Sequence, residues 1–492
     1  MERNVIIEIS KTAIESLAMA GLPSPAAAFG ASATATLPSL KIDESFSPVD
    51  IPGPDATARY TAEAEDEEGD GQRPLESSTY LVRGTIEEEA IPNLREEIAA
   101  NPSIVNIYAD VAIDVCLICP GSPPMGTDKD VEKLLCVERL RRSNMDGSRV
   151  LVAVVDTGVN MSYLNAHGKT PAFDAARSWT PPGGGTPGAQ PVGHGTMCAF
   201  DVCIAAPKCT LLDISLLRSS ASGFAGLLSD AVKAYRHLLN VMLAPRRPGE
   251  SRSLVVNNSW GMFHPSWDFP VGHPGNYSDN INHPFNRIVS VLERSGADIL
   301  FAAGNCGKDC PDGRCGGVVT KAIYGANGHP QVLSVAGVDV TGNRVGYSSQ
   351  GPGRLTPRKP DICGFTHFKG SGVYPADGGT SAATPVVAGV VAAVRSRIPS
   401  TPLYKPDKLR KRVRTTAIDR GPAGWDGDYG WGIVNGCRLS QTRLPLVRTE
   451  AESAEVQKLF AEIVATIKPD DEREELPASR LAPEAVVPVT RA

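Results

Sequence analysis

The sequence predicts an α/β protein: a parallel sheet with helices on both faces, preceded by a smaller α+β domain. Five apolar runs alternate with helical patterns between about residues 128 and 442, namely RVLVAVVD, TLLDISLL, SLVVNNSW, ADILFAAG and QVLSVAGV. Continuous apolar strands of this kind are typical of parallel sheets that are covered on both sides. The 492 residues are enough for two or three folded units.

The first 118 residues are predicted to form the smaller domain. A strand-like run from Val5 to Ile9 precedes the helix-like TAIESLAMA, and the later TYLVRG, IEEEAIPNLREEIAA and SIVNIYADVAI predict a βαβ unit. Residues 21–77 lie between them, are rich in Ala, Pro, Ser and Thr, and end in the acidic run EAEDEEGD. We expect this segment to be a flexible, disordered insertion, because such a composition buries little apolar surface.

Two further segments flank the large domain of 128–442. The Pro- and Gly-rich CPGSPPMGT at 119–127 predicts a linker. Residues 443–492 form a polar tail, in which AEVQKLFAEIVATI places its apolar side chains on one helical face. The tail is therefore predicted to hold one amphipathic helix.

Composition narrows the class of protein. Charged residues make up 21% of the chain and the net charge is -6, which gives no reason to expect nucleic-acid binding. The first residues do not resemble a secretory signal, and no apolar run reaches the length of a membrane span. We therefore predict a cytoplasmic protein, with export by another route as the alternative. The eleven cysteines are expected to be mostly reduced thiols.

Three segments carry residues for nucleophilic catalysis. VAVVDTGVN places Asp156 at the end of a buried strand, GHGTMCAF places His194 where a helix could begin, and GGTSAATPVVAGVVAAVRS places Ser381 early in a helix that Pro385 is expected to interrupt. A serine hydroxyl needs an imidazole to take its proton and a carboxylate to orient that imidazole. The order Asp, His, Ser along the chain is that of subtilisin rather than chymotrypsin.

These segments carry a family resemblance. VAVVDTG, GHGT and GTSAATPVVAG resemble the three signature segments of the subtilases, and five further segments follow in the family's order: IAAPKCTLLDISLL, NNSWG, FAAGN, RKPDI and YGWGIVNG. The resemblance covers roughly 128–442. It implies a subtilisin-like three-layer fold and the activity of a serine endopeptidase on protein or peptide substrates.

The resemblance also implies roles for single residues. Ser381 would attack the peptide carbonyl, His194 would act as base and then acid, and Asp156 would orient His194. The Asn305 amide and the Ser381 N–H would form the oxyanion hole. The substrate-binding residues would be Ser259, Trp260, Gly261, Ala303 and Gly304. Trp260 and Met262 are larger than the family pattern expects, which leaves the shape of the specificity pocket open.

The region around 79–115 resembles part of the inhibitory, ferredoxin-like propeptide that precedes many subtilases. This implies that the protein's own propeptide is an intramolecular inhibitor and that self-cleavage occurs between about residues 110 and 127. The alternative is an accessory domain that stays attached.

Cys306, Cys310 and Cys315 follow Asn305 in an unusual insertion. Their spacing would allow a metal site, a disulfide or plain thiols, and we favour plain thiols or a redox-sensitive pair, because no fourth zinc ligand is obvious nearby. No metal ligand is assigned, and no cofactor is required for the predicted chemistry. Ca²⁺ remains possible, although no carboxylate-rich loop identifies its ligands.

The predicted function is that of a self-processing serine endopeptidase. A peptide-processing or transpeptidating enzyme would use the same residues, and a catalytically silent scaffold is the third alternative. The natural substrate, the cleavage preference, the oligomeric state and the exact processing site are not specified by these patterns.

Overall fold

The structure is a computed structural model of the chain. It describes residues 1–10, 37, 39–52, 77–99, 101, 103–115, 123–219, 225–244, 251 and 253–442. The predicted helix at 12–20, most of the linker and the whole tail after 442 lie outside these residues. No helix among the described residues is long and apolar enough to cross a membrane.

The N-terminal region forms a five-stranded antiparallel sheet. Four of its strands lie in the order β2-β4-β1-β5, and β3 also pairs with β4. The strands are β1 (Glu2–Ser10), β2 (Leu40–Ile42), β3 (Val49–Pro52), β4 (Ser77–Glu87) and β5 (Ile104–Ala109). The prediction of a helix between β4 and β5 is confirmed by a 3-10 turn at Glu88–Asn93 that continues into α1 (Leu94–Ala99).

Part of the segment predicted to be a flexible insertion is structured. Strands β2 and β3 fall within residues 21–77, where the sequence predicted disorder. The expectation was wrong for Leu37 and for 39–52, because five apolar side chains at these positions are buried although the composition around them is poor in such residues. They are Leu37, Leu40, Phe46, Val49 and Ile51.

A seven-stranded sheet forms the centre of the large domain. Its order is β15-β14-β13-β11-β7-β9-β8, and every neighbouring pair is parallel, which confirms the predicted parallel sheet. The strands are β7 (Leu151–Val155), β8 (Ala172–Phe173), β9 (Thr210–Ile214), β11 (Leu254–Asn258), β13 (Ala297–Ala302), β14 (Leu333–Val338) and β15 (Ile362–Phe365).

Helices cover both faces of this sheet. They are α2 (Asp128–Leu134), α3 (Val137–Arg142), α4 (Met161–Ala166), α5 (His194–Ala205), α6 (Leu228–Leu243), α7 (Pro284–Arg294), α8 (Gly379–Arg397), α9 (Pro406–Thr416) and α10 (Gly436–Leu439). Alternate residues of β7 enter different cores, because side chains of a strand point to opposite faces. Val152 and Val154 share a core with α5 and α8, and Leu151 and Val155 share one with α6 and α7.

The N-terminal sheet packs on α6 and α7. Its apolar side chains belong to the same core as those of the two helices. Glu8 of β1 is 1% exposed and forms two hydrogen bonds with Arg287 of α7, at 3.0 and 2.7 Å. The small domain is therefore joined to the large one by a shared hydrophobic core and a buried ion pair.

A short three-stranded sheet connects the two domains. Strand β6 (Ala112–Val115) lies between β10 (Gly226–Leu227) and β12 (Trp260–Gly261) and is antiparallel to both. The sequence pattern placed β6 in one strand with β5, but the chain leaves the N-terminal sheet after Ala109. A strand from the small domain thus fills the space between two edges of the large one.

The expectation of mostly reduced thiols is wrong for several cysteines. Cys136 is bonded to Cys437, Cys306 is bonded to Cys315, and Cys310 is also in a disulfide. Partners that are 301 residues apart in the sequence cannot be recognised from spacing, because the fold brings them together. Four other cysteines are buried free thiols: Cys198, Cys203, Cys209 and Cys363.

Candidate active site

Asp156 and His194 lie together at the carboxyl end of the parallel sheet. Asp156 directly follows β7, and His194 is the first residue of α5. Nδ1 of His194 lies 2.8 Å from Oδ1 of Asp156, and both side chains are buried. The Thr157 N–H also donates to Oδ1 of Asp156, at 2.7 Å. A carboxylate in this position orients the imidazole and stabilises its cation.

Nε2 of His194 is the atom that remains for chemistry. It is buried and has no hydrogen-bond partner among the described residues. A buried ring nitrogen without a partner is costly for stability. Its presence beside a carboxylate therefore indicates a functional requirement.

Cys198 contacts all three predicted catalytic residues. It lies one turn after His194 on α5, and its Sγ is 3.8 Å from His194 Nδ1 and 3.7 Å from Asp156 Oδ2. The same sulfur lies 3.6 Å from the backbone carbonyl oxygen of Ser381. Burial and the Asp156 carboxylate raise the pKa of the Cys198 thiol well above its usual value, so this group stays protonated. The thiol therefore packs under the site as a neutral group.

Ser381 is the third residue of α8, a helix that does not end at Pro385. The interruption expected there is absent, since α8 runs on to Arg397. Proline has no N–H, so the carbonyl of Ser381, four residues earlier, has no helical partner. That carbonyl instead accepts a hydrogen bond from Oγ of Ser259 at 3.0 Å and contacts the Cys198 thiol. The proline thus allows the first turn of α8 to bond to Ser259, which lies between β11 and β12.

The hydroxyl of Ser381 bonds to the same residue. Its Oγ donates to the carbonyl oxygen of Ser259 at 3.1 Å. Asn305 follows β13 and is buried, and its Oδ1 accepts hydrogen bonds from the N–H of Thr380 at 3.0 Å and from its hydroxyl at 2.9 Å. Because these two donors fix Oδ1, the amide group presents Nδ2 as its donor. These bonds hold Asn305 against Thr380, the residue that precedes Ser381.

The predicted substrate-binding strand is paired with the chain's own β6. Trp260 lies opposite Val115 and Gly261 opposite Asp114. The indole of Trp260 is fully buried and packs against Phe301 with ring centroids 5.3 Å apart, so it supports the strand from below. The large side chain of Trp260 therefore lies in the core and does not occupy the substrate-binding face of the strand.

A small cavity lies beside Asn305. Ala303 and Gly304, the other two predicted substrate-binding residues, form part of its wall together with Met262. The full lining is Gly261, Met262, Phe263, Ala303, Gly304, Asn305, Cys306, Ala322, Tyr324 and Asn327. None of these side chains is charged, which favours an uncharged group as the occupant.

Calcium binding does not fit this donor set. Within the described residues, the group of His, Cys, Asp and Glu that comes close enough to share an ion is Asp156, His194 and Cys198, with ligand atoms within 4.8 Å of one another. One carboxylate, one imidazole and one protonated thiol do not make the oxygen-rich cage that Ca²⁺ takes. The hydrogen bond between Asp156 and His194 already accounts for their proximity.

The fold and this arrangement define a class of protein. Residues 147–432, more than half of the chain, match Peptidase S8, the subtilase family. The chain belongs to the subtilase family.

Individual relatives are distant. The chain is 26% identical to Subtilisin DY of Bacillus licheniformis over 314 residues, which are 61% of this chain and 94% of that protein. It is also 26% identical to Fervidolysin of Fervidobacterium pennivorans over 337 residues, and there it spans only 42% of the relative. The crystal structure of fervidolysin, described as a keratinolytic enzyme related to subtilisin, matches with a TM-score of 0.55 and 18% identity over 90% of this chain and 62% of the other.

Two residues of the site escaped the sequence reasoning. Cys198 could have been found, because it lies four residues after His194 and hence on the same face of a predicted helix. Arg314 lies in the insertion after Asn305 and reaches Asp114, which is 200 residues away in the sequence. No local pattern indicates that contact.

Proposed function

We propose that this chain is a serine endopeptidase that is made as a self-processing zymogen. The observation that carries the proposal is the buried hydrogen bond of 2.8 Å between Asp156 and His194, beside the peptide of Ser381. Asn305 next to these residues supports acyl transfer, because such an intermediate needs a donor for its oxyanion.

The proposed reaction follows from the atoms in place. The Ser381 hydroxyl exchanges the Ser259 carbonyl for Nε2 of His194, gives up its proton there and attacks a peptide carbonyl. The Nδ1–H of His194 donates to Asp156, and the charge on the oxyanion is stabilised by Nδ2 of Asn305 and the Ser381 N–H. His194 then protonates the leaving amine, and water releases the acyl group. No cofactor takes part in these steps.

The zymogen proposal rests on β6. This strand lies where an extended substrate would add itself to the edges of β10 and β12. In this register the residue that follows Val115 would lie opposite Ser259 and beside Ser381, so we place self-cleavage within the predicted 110–127 window, on the carboxyl side of that residue. The N-terminal sheet would then stay as a bound inhibitor, held by the core that it shares with α6 and α7.

Substrate and location follow from the same residues. Protein or peptide chains in an extended conformation are the proposed substrates, with an uncharged side chain in the cavity beside Asn305. The disulfides Cys136–Cys437 and Cys306–Cys315 are typical of oxidising compartments. We therefore propose that the protein acts outside the reducing cytoplasm, which is the alternative to the predicted location.

The test combines active-site labelling with intact mass. A fluorophosphonate probe should label the wild-type protein but not Ser381→Ala, and only the wild type should lose its residues up to the 116–127 stretch. Identical masses for the two proteins would contradict self-processing, and a folded wild type that is not labelled would contradict the catalytic proposal. Adding a primary amine during peptide cleavage separates the alternatives, because a transpeptidating enzyme would form the ligated product.

A further inference from the structure

The loop Cys306–Cys315 follows the candidate oxyanion residue directly. Its two ends are joined by a disulfide, and the N–H of Asp312 donates to the carbonyl of Asn305 at 2.8 Å. A short 3-10 turn, Gly313–Cys315, begins at Asp312, which caps it with its side chain. The loop is thus fixed at both ends and in the middle beside the proposed site.

Arg314 is held in one orientation by this loop. Its Nε and Nη2 donate to the two carboxylate oxygens of Asp312 at 3.0 and 2.8 Å. Its guanidinium carbon also lies 3.7 Å from the ring centroid of Phe263, in a cation–π contact. An arginine fixed from two sides loses little further freedom when it binds a partner.

The terminal nitrogens of this guanidinium face β6. Nη1 of Arg314 donates to Oδ2 of Asp114 at 2.7 Å, and Nη2 donates to the carbonyl oxygen of Val115 at 2.7 Å. The carbonyl contact is available to any peptide in this position. The carboxylate contact depends on the side chain, so it can distinguish one sequence from another.

The register of β6 defines which substrate position is concerned. Asp114 is opposite Gly261 and Val115 is opposite Trp260. A substrate in the same register places its next residue opposite Ser259, whose carbonyl oxygen accepts the Ser381 hydroxyl. The side chain at the position of Asp114 then belongs to the third residue on the amino side of the bond to be cleaved.

We propose that Arg314 gives this enzyme a preference for substrates with Asp or Glu at the position that faces Gly261. This inference rests on the proposed function, because it treats β6 as a guide to how a substrate binds. Arg314 is a specificity-determining residue in this scheme and takes no part in the chemistry. The substrate class is an extended peptide with an acidic third residue and an uncharged residue at the cleavage point.

The expected preference is moderate. The side chains of Arg314 and Asp114 are 23% and 40% exposed, so water screens part of their attraction. The two charges are partly exposed, but they form a direct hydrogen bond and the arginine is already oriented. We therefore expect about a threefold to tenfold difference in kcat/KM between an acidic and a neutral side chain at this position. An Asn at the same position keeps the shape but loses the charge.

The experiment uses the full chain after self-processing and release of the N-terminal sheet, together with three quenched fluorescent peptides. The peptides copy residues 108–120 with serine in place of both cysteines, and carry Asp, Asn or Lys at the position of Asp114. The Asp peptide should be cleaved about threefold to tenfold faster than the Asn peptide in kcat/KM, and the Lys peptide should be the slowest. Because ions screen exposed charges, 1 M salt should reduce the difference.

Variants identify the residue that is responsible. Arg314→Gln should cleave the Asp and Asn peptides at equal rates, and Arg314→Glu should favour the Lys peptide. Arg354→Gln is the matched control. Arg354 also stacks on an aromatic ring, that of Tyr324, and pairs with an aspartate, Asp279, but neither partner belongs to β6. It should keep the wild-type preference.

The outcomes separate the two proposals. Equal cleavage of the three peptides by wild type overturns the role of Arg314 and leaves the protease intact. A preference that survives in Arg314→Gln also overturns it. Cleavage of no peptide, together with no fluorophosphonate labelling, overturns the proposed function and this inference with it.

Discussion

Two arginines of the large domain each form a two-point ion pair with the N-terminal sheet. Arg287 on α7 donates to both oxygens of Glu8 at 3.0 and 2.7 Å. Arg236 on α6 donates to both oxygens of Asp50 at 3.1 and 2.6 Å. The pairs have the same chemistry and differ in burial, since Glu8 is 1% exposed and Asp50 is 34% exposed.

Burial should make the two arginines unequal. In Arg287→Ala the Glu8 carboxylate stays buried, and its remaining partners among the described residues are the hydroxyls of Thr79 and Tyr108, at 2.6 and 3.0 Å. Removing one member of a buried ion pair, so that the other charge stays buried without it, typically costs about 3–5 kcal/mol of stability. Because two hydroxyl donors remain, we expect about 3 kcal/mol, which is roughly a 150-fold weaker attachment of the N-terminal sheet. Arg236→Ala should cost about 0.2–1 kcal/mol, less than roughly sixfold.

Hydrogen exchange can measure the difference in the intact chain. In a Ser381→Ala background, which prevents self-cleavage, the amides of β6, β10 and β12 exchange when the N-terminal sheet detaches. Their protection should fall roughly 150-fold in Arg287→Ala and by less than about sixfold in Arg236→Ala. Adding Glu8→Gln to Arg287→Ala should restore most of the protection, because no buried charge is then left unpaired.

Two results would refute this reasoning. Equal losses in the two arginine variants would mean that burial does not determine the strength of these pairs. A double variant that stays as weak as Arg287→Ala would mean that lost packing, rather than the unpaired Glu8 charge, causes the defect.

Two further predictions concern stability and rate. Asp201 is buried beside Asp377, and no N–H or hydroxyl group among the described residues donates to its carboxylate. Burial and the neighbouring Asp377 raise the pKa of Asp201, and burial raises the pKa of Asp377 to about 6. A carboxyl whose pKa is raised by folding destabilises the folded protein as the pH rises. Asp201→Asn should therefore stabilise the protein by roughly 1–3 kcal/mol at pH 8 and by less at pH 5, measured as a change in Tm. No increase in Tm at pH 8 would contradict this. Asn305→Ala should lower kcat for a peptide by about 10²–10³ with little change in KM, and an unchanged kcat would exclude Asn305 as an oxyanion donor.

Local patterns in the sequence were sufficient for the main sheet and for two site residues. The strands of the sheet are continuous apolar runs, and a run ends where Asp156 begins, so the end of the strand could be read directly. The glycines beside His194 likewise marked the start of α5. Each of these features depends on residues that are close together in the chain.

Features that depend on distant residues could not be predicted. The disulfide between Cys136 and Cys437 and the contact of Arg314 with Asp114 both join parts of the chain that only the fold brings together. The prediction at Pro385 was wrong for a related reason. A proline removes one helical hydrogen bond, but here the carbonyl of Ser381 accepts a hydrogen bond from Ser259, which is distant in the sequence. Propensity alone does not include that compensation.

The disulfide bond between Cys136 and Cys437 affects how easily the enzyme could digest itself. Cys136 lies between the first two helices of the large domain, and Cys437 lies in α10, the final helix among the described residues. Chain ends normally fray, and an extended, frayed end is what a protease cleaves most easily. Removal of the N-terminal sheet near residue 120 would create a new end only about fifteen residues before this covalent link. The first and last helices would then have to open together before either could be digested, so the link would limit autolysis at the moment of activation.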